Sequence, residues 1–440
     1  MRILVVALAG GVLFGYSISA MNQILDEVDH EFGLTTVSEG VVVSSLVVGA
    51  LVGCLAAGAV TDRWGRRTML CAAGVMGTVA ASVCAVAASQ VVLISGRLLL
   101  GLAVGVTTAV APVLVAELAS IRKRGSSVTA YQLATAVGAL AALLLGLHQS
   151  AHEEWRWMFA ANAVPAIALG AGVILIPPGL GNVPARRRGS TAFGVPCAAQ
   201  GYDQVGKAYI PVVAGGGSQE RPAGWSKLRR PPYRLPVVLA LSAALMNALV
   251  GVGAVVYYST LVFSLAGVKG RLGAEVASLS VGACNVAVSV LSLWLIQRHS
   301  RLSLLTSGLT GIIGSLTAAA VCLMAFDSEV TGVVTVVSLL AFMACFAFSA
   351  GPLAWLIIAE VLPTEIRAPI AGVALAANWA ANLLVTLAFP IVVGIPGSPA
   401  RVGAAFLFFA VLTIGFLLLF RRTLPETKDR ALDVASRQKV

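Results

Sequence analysis

Asn378 and Asn382 stand four residues apart in an apolar stretch. Gln132 lies in another with Thr135 three residues on, Asn285 in a third, Asn247 in a fourth, and Trp355 and Trp379 add indole rings. Residues four apart on a helix share a face. Neutral amides donate and accept hydrogen bonds without carrying charge, and an indole gives a flat apolar surface. Together they suit a sugar, which shows hydroxyls at its rim and C–H groups on its faces. Polar groups inside apolar helices are costly, so a concentration of them marks a solute path. The plainer reading of each Asn is an interhelical hydrogen bond, and of each Trp a packing aromatic.

A second set is charged and lies between the apolar stretches. Asp62-Arg63-Trp64-Gly65-Arg66-Arg67 follows the second run, and Gln297-Arg298-His299-Ser300-Arg301 follows the eighth. Glu117 precedes Arg124 by seven residues after the fourth run, and Glu360 precedes Arg367 by seven after the tenth. The recurrence points to a duplicated six-helix unit, the architecture of many secondary transporters. Acids and bases at helix ends on one face can pair, and must part when that face opens. Asp62, Arg63, Arg66, Arg67, Glu117, Arg124, Arg298, Glu360 and Arg367 are therefore expected to form a gate. Gly49, Gly53 and Gly58 let helix backbones approach closely; they suggest a sliding contact between the halves, or static packing.

The elements that must carry these groups follow from composition. The chain has 440 residues, 58% hydrophobic and 11% charged, with a mean hydropathy of +0.92. Soluble domains carry roughly a quarter charged residues, so most of this chain cannot face water. The long apolar runs exclude a barrel of alternating strands. Six runs begin near Met1 and end near 177; six more cover about 235–420. Twelve membrane helices of about 22 residues account for roughly 260 residues. The expected fold is all-α, with six-helix units at 1–177 and 235–420, a mostly disordered central loop at 178–234, and a tail at 421–440. A break at Tyr16-Ser17 and the later runs make the first run a membrane helix rather than a signal peptide.

The net charge of +11 is explained without nucleic acid, because the basic residues sit in short turns on one side. Arg63, Arg66 and Arg67, Arg122 to Arg124, Arg186 to Arg188, Arg298, Arg301, Arg367 and the tail alternate with acidic loops at Asp26 to Glu31, Glu153-Glu154, and Asp327 and Glu329. The positive-inside rule puts both termini in the cytosol. The cysteines, at 54, 71, 84, 197, 284, 322 and 345, lack metal-ligand spacing. His148 and His152 are four apart in an external loop with no ordered third ligand, and read as solvated histidines. The external loops carry no Asn-x-Ser/Thr sequon.

Several pieces in order resemble the sugar porters of the major facilitator superfamily, most of all the animal facilitative glucose transporters. They are Gly11-Val12-Leu13-Phe14-Gly15-Tyr16, the 62–67 turn, Gly96-Arg97 with Gly101, Pro112 to Glu117 with Arg124-Gly125, Gln132, and Trp155-Arg156-Trp157-Met158. The second half adds Tyr257-Tyr258-Ser259-Thr260, Asn285, Gly351-Pro352 with Trp355 and Glu360, Asn378-Trp379 with Asn382, and Pro425-Glu426-Thr427-Lys428. The resemblance implies a sugar site lined by Gln132, Asn247, Asn285, Trp355, Asn378 and Trp379; Asn382 joins it on spacing alone. Departures from the family pattern are Ala248 and Gly253 early in the seventh helix, Ala347 before the Gly-Pro, Leu114, Ser120, Gln297, and Pro177-Pro178-Gly179 after the sixth.

The implied activity is uniport of a monosaccharide such as glucose by alternating access. Proton symporters of the family carry Asp where this chain has Ser17, and no acid is expected in a helix core. No nucleotide-binding loop of the Gly-x-x-x-x-Gly-Lys type is present, which argues against a primary pump. The partners expected are a monosaccharide and membrane lipid, with no nucleic acid, cofactor or metal, and a monomer as the working unit. Alternatives are a carrier of a polyol or dehydroascorbate, a proton-coupled symporter, a non-transporting sensor or a membrane enzyme. The membrane is the plasma membrane or an endomembrane.

Overall fold

The computed structural model describes residues 2–118, 124–149, 155–174, 231–268, 270–325, 329–363, 366–394 and 397–424. The central loop and the tail expected from the sequence lie outside the described residues except at their edges. So do the side chains of Asp62, Arg63, Glu117, Arg124 and Arg367. Fifteen helices are described: α1 Arg2–Phe32, α2 Thr36–Trp64, α3 Arg66–Ala85, α4 Gln90–Leu118, α5 Arg124–Gln149, α6 Trp155–Ala161, α7 Ala163–Ile174, α8 Pro231–Leu249, α9 Val252–Leu265, α10 Arg271–Arg298, α11 Arg301–Ala325, α12 Glu329–Phe348, α13 Ala350–Val361, α14 Arg367–Val393 and α15 Pro399–Thr423. They make 12 spans long and apolar enough to cross a membrane. An even number of crossings returns the chain to the side where it began. That side, the terminus side below, carries the turns at 62–67, 298–301 and 361–367.

Three spans consist of two helices each: α6 with α7, α8 with α9, and α12 with α13. The break between α8 and α9 falls at Gly251, whose φ of 95° lies in the left-handed region that glycine enters without strain. Its missing side chain also matters, because a Cβ there would stand 2.9 Å from the Phe409 ring. The tenth span breaks at Ser349, where φ is −122° and ψ is −92°. Discontinuous helices are a recurrent way of placing polar groups at the middle of a transporter.

Close backbone approach assembles the first six spans. Gly49 and Gly53 of α2 face the carbonyls of Leu98 and Leu102 in α4, and Gly101 and Gly105 of α4 face those of Leu46 and Ala50. Gly11 and Gly15 of α1 meet α5 at Tyr131 and Thr135, and Gly138 meets Val12. These are spacings of four on facing helices, the small-residue interface of membrane packing. The 49/53 pair therefore packs inside the first half; it is not the sliding contact between halves that the sequence suggested.

The acidic segment after the first run is also not a loop. Asp26, Glu27, Asp29 and Glu31 occupy the last turns of α1. A helix of 31 residues extends about 46 Å at 1.5 Å per residue. A hydrocarbon layer of about 30 Å leaves those turns outside it.

Candidate functional site

Between the halves, Phe14 of α1 meets Trp379 of α14 edge to face, with ring centroids 5.4 Å apart. Phe14 belongs to the first half and Trp379 to the second, so this contact marks their shared surface. The expected polar residues divide into two kinds by burial. Asn247 and Asn378 are buried, with exposures of 8% and 5%, whereas Gln132, Asn285, Asn382 and Trp355 are half-buried.

The buried pair is bonded to protein. Asn247, near the end of α8, donates from Nδ2 to the Ala350 carbonyl at 3.2 Å. That joins one broken span to the other beside its break. Asn378 donates from Nδ2 to the Ala244 carbonyl at 2.8 Å and to Asn247 Oδ1 at 3.1 Å. Asn382 donates from Nδ2 to the Asn378 carbonyl at 3.0 Å and to its Oδ1 at 3.2 Å. Thr386 Oγ1 donates to the Asn382 carbonyl at 2.7 Å, and Tyr258 donates to the Thr386 carbonyl at 2.8 Å. Asn247 and Asn378 thus hold the wall in shape, while Asn382 reaches its surface.

Several polar atoms have no hydrogen-bond partner among the described residues. Gln132 makes no side-chain hydrogen bond among the described residues, nor does the Trp355 indole. Asn285 accepts from Ser289 at 3.4 Å and keeps its amide donors. The Trp379 Nε1 is buried without an acceptor. Leaving a buried donor so costs about 1–3 kcal/mol, and a hydroxyl at the interface would relieve it. Two further departures from the family pattern, Ala248 and Ala347, are fully buried, so their side chains belong to the core.

On the side opposite the termini, the halves are latched by residues the sequence reading did not single out as contacts. Asn22 of α1 donates to Ser259 Oγ of α9 at 3.0 Å, and Thr260 donates to Asn22 Oδ1 at 3.2 Å. An Asn in an apolar helix was the available signal. Nearby, Glu31 accepts from Trp155 Nε1 at 2.7 Å and from both terminal nitrogens of Arg156, at 3.0 and 2.6 Å. Arg156 also donates to the Ala87 carbonyl at 3.1 Å. This clamp binds the ends of α1, α3 and α6, and explains the physical use of the Trp-Arg pair.

On the terminus side the described residues make the following contacts. Arg301 meets Glu360 at 3.5 Å and also donates to the Ile296 carbonyl, so it ties α10, α11 and α13 together. Arg298, the arginine expected at this gate, is exposed and lies over the Trp294 ring at 4.5 Å. Arg67 donates to the Ile174 carbonyl at 3.1 Å, tying α3 to the end of α7. Arg66 begins α3.

Ser17 donates to the Leu13 carbonyl at 2.6 Å and to Asn162 Oδ1 at 3.1 Å. Arg97, fully buried, donates to the Val42 and Val43 carbonyls at 2.8 and 3.1 Å. Two acids that the sequence reading did not weigh are drawn inward. Glu275, in the second turn of α10, is only 4% exposed, and Glu39 is half-buried in the first turn of α2. Both lie near span ends, where an apolar-run reading gives single charges little weight. Among the described residues no group of His, Cys, Asp and Glu could hold a metal ion.

Twelve spans, three of them broken, with a surface shared by the two halves, fit the major facilitator fold. Residues 3–438 match the family described as sugar (and other) transporter, and the chain belongs to it. It is not an enzyme family. The glucose transporter GlcP of Staphylococcus epidermidis is 28% identical over 98% of this chain and 95% of its own. Plastidic glucose transporter 4 of Arabidopsis thaliana is 31% identical over 97% of this chain and 78% of its own. Among solved structures, the proton:xylose symporter XylE bound to 6-bromo-6-deoxy-D-glucose superposes with a TM-score of 0.77 at 22% identity, over 98% of this chain and 97% of that one. These relatives are bacterial and plant proteins, so the likeness belongs to the family at large and not to its animal members in particular.

Proposed function

We propose that the protein carries a monosaccharide, glucose being the first candidate, passively across a membrane by alternating access, with both termini cytosolic. The observation that carries this reading is the set of neutral hydrogen-bonding atoms left open at the centre: Gln132, Asn285, Asn382 and the Trp355 indole. They match a hydroxylated solute and offer an ion no counter-charge. With the termini in the cytosol, the latch at Asn22, Ser259 and Thr260 closes the external side. Sugar then leaves through the terminus side, whose charged turns form the gate. Asp62, Arg63, Arg66, Arg67, Glu117, Arg124, Arg298, Glu360 and Arg367 remain its proposed members, with Arg301 added by its pairing with Glu360. Lipid surrounds the spans, and the monomer is the working unit.

Passive transport is favoured because Ser17 is a hydroxyl bonded to another neutral side chain, where an acid would carry a proton. A second reading, proton-coupled uptake, draws on Glu275, a buried carboxyl in a span, and on XylE being a proton:xylose symporter. Glu275 lies ten residues from Asn285 along α10, about 15 Å of helix rise, so it sits at the mouth of the path. Counterflow of labelled glucose into proteoliposomes, with and without a pH gradient, separates the readings. Saturable flux indifferent to the gradient is expected. Accumulation driven by the gradient establishes symport, and a lack of flux for every sugar in a hexose and pentose panel ends the carrier reading.

A further inference from the structure

Gly253 of α9 is buried against α14. A Cβ built there would stand 3.3 Å from Asn382 Oδ1, 3.7 Å from Val385 Cγ1 and 4.0 Å from the Tyr257 ring. So α9 has no side chain at this point, and Asn382 of α14 packs close against its backbone.

The identity of that atom is fixed by the bonds behind it. A main-chain carbonyl can only accept. The Ala350 carbonyl therefore faces Asn247 Nδ2, which turns Asn247 Oδ1 toward Asn378. The Ala244 carbonyl faces Asn378 Nδ2, which turns Asn378 Oδ1 toward Asn382. The Asn378 carbonyl faces Asn382 Nδ2. Every amide in the row points the same way, and each bond polarises the next. The row ends at Asn382 Oδ1, which accepts from no described residue and is not closed off from solvent.

We propose that Asn382 is the specificity-determining acceptor for one sugar hydroxyl, standing beside Gly253 where α9 itself offers no side chain. The recognised group is a hydrogen-bond donor, so a hydroxyl is accepted while hydrogen or fluorine at the same ring position is rejected. Asn247 and Asn378 are positioning residues for it. This inference rests on the carrier reading above.

The test uses the full-length protein in proteoliposomes. The panel sugar of highest affinity competes for exchange alongside its complete deoxy and deoxyfluoro series. In the wild type, one ring position is expected to lose about tenfold in apparent affinity on replacement of the hydroxyl by either hydrogen or fluorine, the worth of one neutral hydrogen bond. In Asn382→Leu, the parent sugar is expected to weaken by about the same factor. The penalty at that one position then falls below about twofold, while the others persist. Gly253→Ala brings a methyl to 3.3 Å from the acceptor; it is expected to weaken the parent about threefold and to spare the analogue lacking that hydroxyl. Uniform weakening of the whole series in both variants, or an unchanged pattern of penalties in Asn382→Leu, overturns the assignment. A wild type with no saturable exchange for any sugar overturns the carrier reading itself, which distinguishes the two failures.

Discussion

The two halves of the molecule are held together by different means. In the first half, α1 meets α5 and α2 meets α4 through facing glycines, backbone against backbone. A bidentate Arg156–Glu31 pair then fastens the ends of α1, α3 and α6. In the second half, two spans are broken, and an amide row from Ala350 to Asn382 joins them. Its glycine contacts are mostly with side chains, as at Gly308 with Ser349 and Gly403 with Met324. The first half is built as a wall, and the second carries most of the amides of the proposed sugar site. Stability and selectivity should therefore be separable by half.

Gly15→Leu should break the comparison at its strongest point. The added side chain would enter the Thr135 backbone, and neither partner is a flexible group that can turn aside. Overpacking of this kind costs about 1–3 kcal/mol, occasionally more, and here it separates two helices along their length. Folded, membrane-inserted protein is expected to fall to a trace, as read by size-exclusion of the solubilised chain. A well-folded variant would mean that α1 and α5 are not in backbone contact.

Asn378→Leu comes next and concerns the other half. It removes three bonds of the row and strands Asn247 Oδ1 in a buried setting. The expected result is a loss of more than tenfold in sugar affinity, with thermal stability reduced by about 1–3 kcal/mol. The pairing of effects is the point: Gly15→Leu removes protein, whereas Asn378→Leu leaves protein that no longer recognises sugar. Equal losses of yield in both would erase the distinction between wall and reader.

Glu360→Gln should be milder. The pair with Arg301 is partly buried, at 19% and 11% side-chain exposure, and the amide keeps a hydrogen-bonding oxygen. Exchange is expected to slow about fivefold while binding of sugar to the solubilised protein changes less than twofold. A larger change in binding than in exchange would remove Glu360 from the gate.

The sequence made the spans and the amide set plain, because both are local. Apolar runs bounded by charged turns predict helices wherever they occur, and the spacing of Asn378 and Asn382 predicts the bond they form. What stayed hidden depends on partners far away in the chain. That Asn247 donates to Ala350 follows from where the tenth span breaks, and nothing local to Asn247 records it. That Arg301 meets Glu360 likewise depends on how α11 and α13 pack, which no spacing records. Asn22 was visible as a polar residue in an apolar helix, yet its partners lie 237 and 238 residues away. Gly49 and Gly53 were legible as a packing face, and only the fold says against which helix.

Arg156→Lys is the smallest and most discriminating test of the comparison. Arg156 and Glu31 are 42% and 37% exposed at their side chains, and exposed pairs are worth about 0.2–1 kcal/mol. A lysine keeps the charge but cannot hold both carboxylate oxygens and the Ala87 carbonyl at once, since it lacks the planar fork. The Trp155 indole bond to Glu31 stays. The expected cost is about 0.5–1 kcal/mol in thermal stability, with sugar affinity and the pattern of deoxy-sugar penalties unchanged, because none of the reading atoms touches this clamp. If the lysine variant instead alters the deoxy-sugar pattern, the first half is no passive wall, and the ends of α1 and α6 must be placed in communication with the centre through Phe14 and Trp379.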